Sequence, residues 1–261
     1  MRPYLEAEHP IRFAHRGGAG LWPENTVIAF QGAYDLGIRY METDVHLTAD
    51  GVLVAFHDHH LDRLTNGTGR VADWLWDDLV RLDAAYGFRP EEGFPSRGTD
   101  IGIPRLDDLL AAYPDARWNI DMKHSAAVDA LADLVTKLGV EDRVLASSFF
   151  DHRLTRFRKA THGRVATSAG PRQVARVMAA ARLGKTASIA ADALQVPERA
   201  RAIGVVDAKL VGAAHRAEVA VHVWTVNDPE SMHRLLDLGV DGIITDRPDV
   251  LIEVVAERGS A

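Results

Sequence analysis

Short apolar, β-branched segments alternate with longer helical patterns along most of the 261-residue chain. The predicted strands are Ile11–Ala14, Arg39–Leu47, Val52–Phe56, Arg117–Met122, Arg143–Ala146, Arg164–Ala166, Ala193–Gln195, Val221–Thr225 and Gly242–Thr245. The predicted helices are Glu24–Leu36, Asp73–Leu82, Ala126–Leu138, Phe150–Lys159, Pro171–Leu183, Pro197–Val205, Asp207–Glu218, Pro229–Leu238 and Pro248–Glu257. Such alternation predicts a parallel sheet. Because the repeats approach eight, we predict a TIM (β/α)8 barrel rather than an open sheet.

The stretch from Asp58 to Pro104 interrupts the alternation. It holds the turn-forming sequence Asn66-Gly67-Thr68-Gly69 and a glycine- and proline-rich run over Gly87–Gly102. Glycine and proline at this density are typical of turns and loops. We therefore expect one barrel domain over residues 1–261, with a small inserted subdomain at residues 58–104.

The amino-acid composition limits the cofactors, substrates and partners that the chain can have. The absence of cysteine excludes disulfides, thiolate zinc sites and a cysteine nucleophile. The net charge is −7 and basic residues are mixed with acidic ones, so a nucleic-acid partner is not expected, whereas a small anionic substrate is compatible. No apolar run reaches about 18 residues and the N-terminus has no signal-peptide pattern. We therefore expect no membrane span and a cytoplasmic protein, with the oligomeric state open.

Three carboxylates are candidates for a metal site. Glu42 and Asp44 lie two residues apart on a predicted strand, so their side chains point to the same face. Asp121 comes from the next strand of the predicted barrel. Carboxylate oxygens without thiolates suit Mg²⁺ or Ca²⁺. Alternatively, Glu42 and Asp44 form ion pairs with arginines at the barrel rim.

Other polar side chains follow predicted strands, where the active site of such a barrel lies. His15 and His57 are candidates for a general acid and a general base, or else for strand-end packing. Arg16 and Lys123 are candidates for anion binding, because a buried ammonium or guanidinium requires an anion. Trp224 is a candidate pocket wall, with core packing as the alternative. Four further histidines are expected to be exposed or structural: His59, His60, His124 and His222.

A series of motifs runs along the chain in order. They are His15-Arg16-Gly17-Gly18, Pro23-Glu24-Asn25-Thr26, Glu42-Thr43-Asp44-Val45, Thr48-Ala49-Asp50-Gly51, His57-Asp58, Leu61-Asp62-Arg63, Asn66-Gly67-Thr68-Gly69, Ile103-Pro104-Arg105-Leu106, Trp224-Thr225-Val226-Asn227 and Thr245-Asp246-Arg247-Pro248. This ordered set closely resembles the glycerophosphodiester phosphodiesterase family over nearly the whole chain. The resemblance implies a TIM barrel with a small insertion after the second strand. It also implies metal-dependent hydrolysis of glycerophosphodiesters to glycerol 3-phosphate and an alcohol.

The resemblance also implies roles for individual residues. By position, His15 and His57 correspond to the catalytic acid/base pair, and Glu42 and Asp44 to metal ligands. Arg16 and Lys123 correspond to phosphate-binding residues, and Trp224 corresponds to the residue that flanks the glycerol moiety. In place of the usual Glu-Xaa-Lys on the third strand, this chain has Asp121-Met122-Lys123. The shorter Asp121 carboxylate lies further from the ion, so either coordination through a water or a shift of the ion is expected.

Two alternatives stay open. A lysophospholipase D-like phosphodiesterase needs an apolar groove for an acyl chain. Four aromatic residues of the insertion are candidates to line it, although packing of the small subdomain is the favoured alternative for them: Trp74, Trp76, Phe88 and Phe94. A non-catalytic phosphate-binding barrel is the other alternative, since fold does not imply function. A glycosidase is disfavoured because Glu42 and Asp44 lie too close together on one strand to flank a glycosidic bond.

Overall fold

The computed structural model describes residues 2–200 and 203–259. Its strands are β1 (Ile11–Ala14), β2 (Tyr40–Leu47), β3 (Leu53–Ala55), β4 (Arg117–Met122), β5 (Val144–Ser147), β6 (Ala166–Thr167), β7 (Ala193–Pro197), β8 (Arg199–Ala200), β9 (Ile203–Gly204), β10 (Ala220–Trp224) and β11 (Gly242–Thr245). Eight of them pair in parallel in the order β6-β5-β4-β2-β1-β11-β10-β7. A parallel bridge between Ser168 and Ala193 connects the two ends of this order. The predicted TIM barrel is confirmed.

Helices cover the outside of the barrel. They are α1 (Val27–Asp35), α2 (Trp76–Leu79), α3 (Leu106–Ala112), α4 (Ala127–Leu138), α5 (Asp151–Ala160), α6 (Pro171–Arg182), α7 (Ala208–Arg216), α8 (Pro229–Asp237) and α9 (Pro248–Gly259). Two separate apolar clusters fill the space between strands and helices. One joins β2, β4 and β5 to α3, α4 and α5, and the other joins β7 and β10 to α6, α7, α8 and α9. No helix within the described ranges is long and apolar enough to cross a membrane.

The helix predicted over Pro197–Val205 is wrong. β7 extends to Pro197, which is in register with Trp224 of β10, and β8 then pairs antiparallel with β9. Pairing with a neighbouring strand outweighs the weak helical preference of this short segment. Residues 201 and 202 of the predicted helix lie outside the described residues.

The amino-terminal end of the barrel is filled by apolar side chains. A one-turn 3₁₀ helix, Pro3–Leu5, places Tyr4 and Leu5 against inward-facing residues of the strands, including Phe13 and Ile244. The Tyr40 hydroxyl donates a hydrogen bond to the Tyr4 carbonyl oxygen at 2.6 Å. With this end packed, the open cavity lies at the carboxyl end, where barrel active sites are found.

The segment between β3 and α3 has its own small apolar cluster. Leu61, Leu64, Val71, Leu79 and Ala84 are buried there, together with residues on and beside β3. β3 itself pairs antiparallel with β2, which carries the segment away from the parallel barrel. The division of residues 58–104 into an inserted subdomain stays a prediction.

His222 is a fully buried histidine of β10. Its ring centroid lies 4.8 Å from that of Phe13, and its Nε2 has no hydrogen-bond partner among the described residues. Burial lowers the pKa of His222 from its ordinary 6.5 to about 4. The folded protein therefore keeps this ring neutral at pH values where the unfolded chain takes up a proton.

We expect acid to destabilise the fold through His222. As pH falls from about 6.5 to about 4, His222 is protonated in the unfolded state before it is protonated in the folded state. This difference lowers the free energy of unfolding by about 3 kcal/mol. His222→Gln removes the titration and should flatten the dependence, measured by urea unfolding at about pH 7 and about pH 4. The matched variant His60→Gln, at an exposed position, should keep the wild-type slope. An unaltered slope in His222→Gln would contradict this account.

Candidate active site

One cavity of about 480 Å³ at the carboxyl ends of the barrel strands brings together all eight predicted site residues. These residues are His15, Arg16, Glu42, Asp44, His57, Asp121, Lys123 and Trp224. They come from the ends of β1, β2, β4 and β10 and from the loop after β3. Their convergence follows from the barrel topology, and the role of each stays a prediction.

Buried acidic side chains form the floor of this cavity. In the parallel register between β2 and β4, Glu42 lies beside Asn119 and Asp44 lies beside Asp121. All four side chains are buried and line the same cavity. The Lys123 ammonium lies between two of the carboxylates, with Nζ 2.7 Å from Asp44 Oδ1 and 2.6 Å from Asp121 Oδ2. Lys123 therefore neutralises part of the charge on the floor.

The three carboxylates differ in how their surroundings shift the pKa. Burial and the neighbouring charge of Asp44 raise the pKa of Glu42 to about 7. Burial also raises the pKa of Asp121, against the effect of Lys123. For Asp44, the Lys123 and Arg16 cations outweigh burial and lower its pKa to about 2. Asp44 and Asp121 each form an ion pair with Lys123, whereas Glu42 Oε2 lies 3.8 Å from His15 Nε2.

This donor set fits a hard divalent cation. The donors are carboxylate oxygens, and the raised pKa of Glu42 marks a place where added positive charge is favourable. Within residues 2–200 and 203–259, no three His, Cys, Asp or Glu side chains form a preassembled metal-binding group. The position between Asp44 and Asp121 is taken by the Lys123 ammonium instead.

Both candidate catalytic histidines are anchored through Nδ1 by a carboxylate. His15 Nδ1 lies 2.6 Å from Asp246 Oδ1, and His57 Nδ1 lies 2.6 Å from Asp58 Oδ1. A carboxylate at one ring nitrogen fixes the orientation and tautomer of an imidazole. The Nε2 atom of each ring is therefore available to a ligand in the cavity. The Nε2 atom of His15 lies 3.8 Å from Glu42 Oε2.

The two rings have different electrostatic surroundings. Burial lowers the pKa of His15, but the nearby Glu42 and Asp246 carboxylates outweigh it and the net pKa is raised. Burial likewise lowers the pKa of His57, and the Lys123 cation adds to the effect, so its net pKa is lowered despite Asp44. The site thus holds two imidazoles that differ in proton affinity.

A chain of ion pairs connects the His57 side of the cavity to the floor. Asp58 accepts from Arg63 Nε at 2.6 Å, and Arg63 Nη2 donates to Glu24 Oε1 at 2.9 Å. The same Glu24 oxygen accepts from Arg16 Nη1 at 2.8 Å. Arg16 Nε lies 3.2 Å from Asp44 Oδ2 without forming a hydrogen bond, so this buried N–H has no acceptor among the residues that the structure describes. An anion in the cavity would supply one.

The glycine turn after β1 positions Arg16. Arg16, Gly17 and Gly18 all have positive φ, of 50°, 83° and 98°. A Cβ on Gly17 would lie 2.7 Å from the Ala29 Cβ, so the close approach that glycine permits is to helix α1. The turn directs the Arg16 backbone N–H to Glu42 Oε2 at 3.0 Å. A non-glycine residue at positive φ is uncommon, and such strain is often found at functional sites.

Sequence reasoning missed several residues of this cavity. The missed residues that line it include Asn119, Ser147, Phe149 and Gln195. Asn119 could have been predicted from strand alternation, because it lies two residues before Asp121 on β4 and shares its face. Its buried Oδ1 has no hydrogen-bond partner among the described residues. Phe149 meets Trp224 edge to face, with ring centroids 5.6 Å apart, and only the fold brings them together.

The aromatic residues of the insertion do not line the cavity. Trp74 and Trp76 pack against the small apolar cluster between β3 and α3. Phe94 instead lies under the Arg97 guanidinium, whose Cζ is 3.7 Å from the ring centroid. These residues therefore do not line an acyl-chain groove in this cavity, and the packing alternative describes Trp74 and Trp76.

The fold and this cavity define an α/β-barrel enzyme with its polar groups at the carboxyl ends of the strands. The model of the glycerophosphoryl diester phosphodiesterase family matches residues 15–250. The "Probable glycerophosphodiester phosphodiesterase 2" of Mycobacterium tuberculosis is 38% identical over 95% of this chain and 92% of its own length. The chain therefore belongs to the glycerophosphoryl diester phosphodiesterase family, and both the predicted family and the predicted enzyme class are confirmed.

Two further comparisons agree with this assignment. A glycerophosphodiester phosphodiesterase of Bacillus altitudinis is 31% identical over 94% of this chain and 98% of its own length. The crystal structure of a glycerophosphodiester phosphodiesterase from Agrobacterium tumefaciens str. C58 is 26% identical, with a TM-score of 0.74, covering 92% of this chain and 97% of that one. The similarity thus extends over the whole barrel.

Proposed function

We propose that this chain hydrolyses glycerophosphodiesters to glycerol 3-phosphate and an alcohol, with a divalent metal ion bound at the cavity floor. The observation that carries the proposal is the pair of histidines, His15 and His57, each anchored by a carboxylate and lining one cavity with cations and buried carboxylates. The names of the similar proteins support the same substrate class.

Two cations of the cavity are suited to hold the phosphate. Arg16 presents a buried Nε–H that has no acceptor within residues 2–200 and 203–259, and Lys123 presents an ammonium just after β4. Negative charge on the phosphate oxygens grows in the transition state, and fixed donors in a water-poor site stabilise it. Trp224, at the edge of the cavity, is suited to contact the glycerol carbons.

His15 and His57 would move the protons. One Nε2 takes a proton from the nucleophile, which is a water or the substrate's own neighbouring hydroxyl, and the other donates a proton to the departing alkoxide. An alkoxide is a poor leaving group, so protonating it contributes about 10²–10⁴-fold. Asp246 and Asp58 keep the rings oriented through Nδ1 during this exchange.

Glu42, Asp44 and Asp121 would hold the divalent ion, which, when bound, withdraws negative charge from the phosphate oxygens. Mg²⁺ and Ca²⁺ both suit oxygen donors. Because Lys123 pairs with two of these carboxylates, binding of the ion and the position of this ammonium are coupled.

Chelation tests the metal. After treatment with EDTA, release of glycerol 3-phosphate from glycerophosphocholine is expected to fall at least about tenfold and to return with Mg²⁺ or Ca²⁺. Release that survives chelation would contradict the metal but not the phosphodiesterase. The non-catalytic alternative would instead show no release with either ion, although glycerol 3-phosphate would still bind in a calorimetric titration.

A further inference from the structure

Arg63 does not line the cavity, but its guanidinium connects two side chains that do. It makes four hydrogen bonds to two carboxylates. Nε and Nη2 donate to Asp58 Oδ2 and Oδ1 at 2.6 and 3.0 Å, and Nη1 and Nη2 donate to Glu24 Oε2 and Oε1 at 3.2 and 2.9 Å. Each of two edges of one planar group is thus matched to a carboxylate, an arrangement that a lysine ammonium cannot reproduce.

Each of these carboxylates also holds a side chain of the candidate active site. The Asp58 Oδ1 atom that accepts from Arg63 also lies 2.6 Å from His57 Nδ1. The Glu24 Oε1 atom is shared in the same way, because it accepts from Arg16 Nη1 at 2.8 Å. Arg63 therefore contacts, through one carboxylate each, a candidate catalytic histidine and a candidate phosphate-binding arginine.

The backbone of Arg63 is held by packing of the segment between β3 and α3. Leu61 and Leu64, on either side of it in sequence, are buried in the small apolar cluster of that segment. The Leu64 N–H donates to the Leu61 carbonyl oxygen at 3.3 Å and closes a turn around Arg63. A Cβ on Gly87 would lie 2.1 Å from the Arg63 carbonyl oxygen, so only glycine permits this close approach. The place from which the guanidinium reaches the carboxylates is thus fixed by the segment itself.

Both carboxylates are kept charged by this arrangement. Burial raises the pKa of Glu24, but hydrogen bonds and charges from Arg63 and Arg16 outweigh it and lower the pKa. Burial likewise raises the pKa of Asp58, and hydrogen bonds from Arg63 and His57 lower it further than burial raises it. Without the guanidinium, two anions that contact the same group would repel each other. Each could then turn away and take with it the side chain that it holds.

We propose that Arg63 is a positioning residue that fixes His57 and Arg16 relative to each other for the reaction. The proposal rests on the proposed function. Arg63 acts through Asp58 and Glu24 and contacts no reacting atom itself. The segment between β3 and α3 thereby contributes to the reaction by supplying this arginine.

Arg63→Met tests this role with glycerophosphocholine as substrate. We expect the variant to be folded in thermal unfolding and kcat to fall about 10–100-fold, because displacing a reacting group by about 1 Å can cost about 100-fold. Arg63→Lys keeps the charge without the two matched edges and should recover little of this loss. The matched variant Arg81→Met removes an exposed arginine of the same segment that does not line the cavity. It should leave kcat within a factor of about two.

Two of these outcomes would overturn the proposal. One is an equal kcat in Arg63→Met and Arg81→Met. The other is full activity in Arg63→Lys, because charge alone would then be sufficient.

Multiple variants separate positioning from a general loss of stability. Asp58→Asn interrupts the connection from Arg63 to His57 and should act mainly on kcat, whereas Glu24→Gln interrupts the connection to Arg16 and should also raise KM. When both are already replaced, adding Arg63→Met should change kcat/KM by no more than a factor of about two. An undiminished effect of Arg63→Met in that background would overturn the proposal.

Binding of glycerol 3-phosphate distinguishes failure of this proposal from failure of the proposed function. Because Arg63 contacts Arg16 through Glu24, Arg63→Met should weaken this binding at least about threefold in a calorimetric titration, and Arg81→Met should not. If the wild type binds glycerol 3-phosphate but releases no choline, the proposed function fails and the titration still decides: unchanged binding in Arg63→Met overturns the positioning role. If the wild type releases choline and Arg63→Met matches Arg81→Met, only the positioning role is wrong. If the wild type neither binds nor hydrolyses, both proposals fail.

Discussion

Replacing His15 or His57 with alanine is expected to lower kcat for glycerophosphocholine by about 10²–10⁴-fold. Each ring lines the cavity with Nδ1 held by a carboxylate, so each variant removes a group that moves a proton rather than a packing contact alone. Loss of proton transfer acts on the chemical step, so KM should change much less than kcat.

The control for this loss is His60→Ala. His60 is exposed, lies three residues after His57 and does not line the cavity. Its replacement should leave kcat within a factor of about two, and thermal unfolding should show all three variants folded. Near-normal turnover in either His15→Ala or His57→Ala would remove that histidine from the mechanism.

Replacing Lys123 with methionine is expected to lower the stability of the metal-free protein by about 3–5 kcal/mol. The ammonium lies within 2.7 Å of Asp44 Oδ1 and 2.6 Å of Asp121 Oδ2, and both carboxylates are buried. Its removal leaves these charges facing each other without their partner. Methionine keeps most of the side-chain volume, so the loss measured by denaturant unfolding reports mainly on charge.

The matched control is Lys137→Met on the exposed side of α4, which should change stability by no more than about 0.5 kcal/mol. A loss below about 1 kcal/mol in Lys123→Met would show that the ion pair contributes little. Adding Mg²⁺ or Ca²⁺ should raise the melting temperature of Lys123→Met more than that of the wild type, because the ion replaces the missing positive charge. An equal shift in both proteins would place the ion elsewhere.

Local pattern was enough to predict the barrel and the carboxylate floor. Strand–helix alternation defines the topology, and strand alternation places Glu42 and Asp44 on one face. The pairing of β2 with β4 then puts Asp121 in register with Asp44. These features depend on residues close in sequence or on a fixed strand order, and both are visible in a single chain.

The partners of the site residues were not predictable in the same way. His15 and Asp246 are 231 positions apart, and only the pairing of β1 with β11 brings them together. Lys123 matched a phosphate-binding position, but its ion pairs with Asp44 and Asp121 depend on side-chain geometry that no local pattern encodes. The helix over Pro197–Val205 failed because Pro197 pairs with Trp224 of β10 and because β8 and β9, both within this segment, pair with each other.

The cavity is supported from outside by two separate apolar clusters. The proposed reacting groups lie at the ends of β1 and β4, on β2 and in the loop after β3. The cavity residues Val174, Met178 and Val196 instead lie on α6 and β7, and separate outer clusters support the two sides. We therefore expect substitutions on α6 to change the apolar lining of the cavity while the proposed catalytic residues keep their positions. After gene duplication, copies of such an enzyme can diverge in the substrates they accept while the reaction they catalyse stays the same.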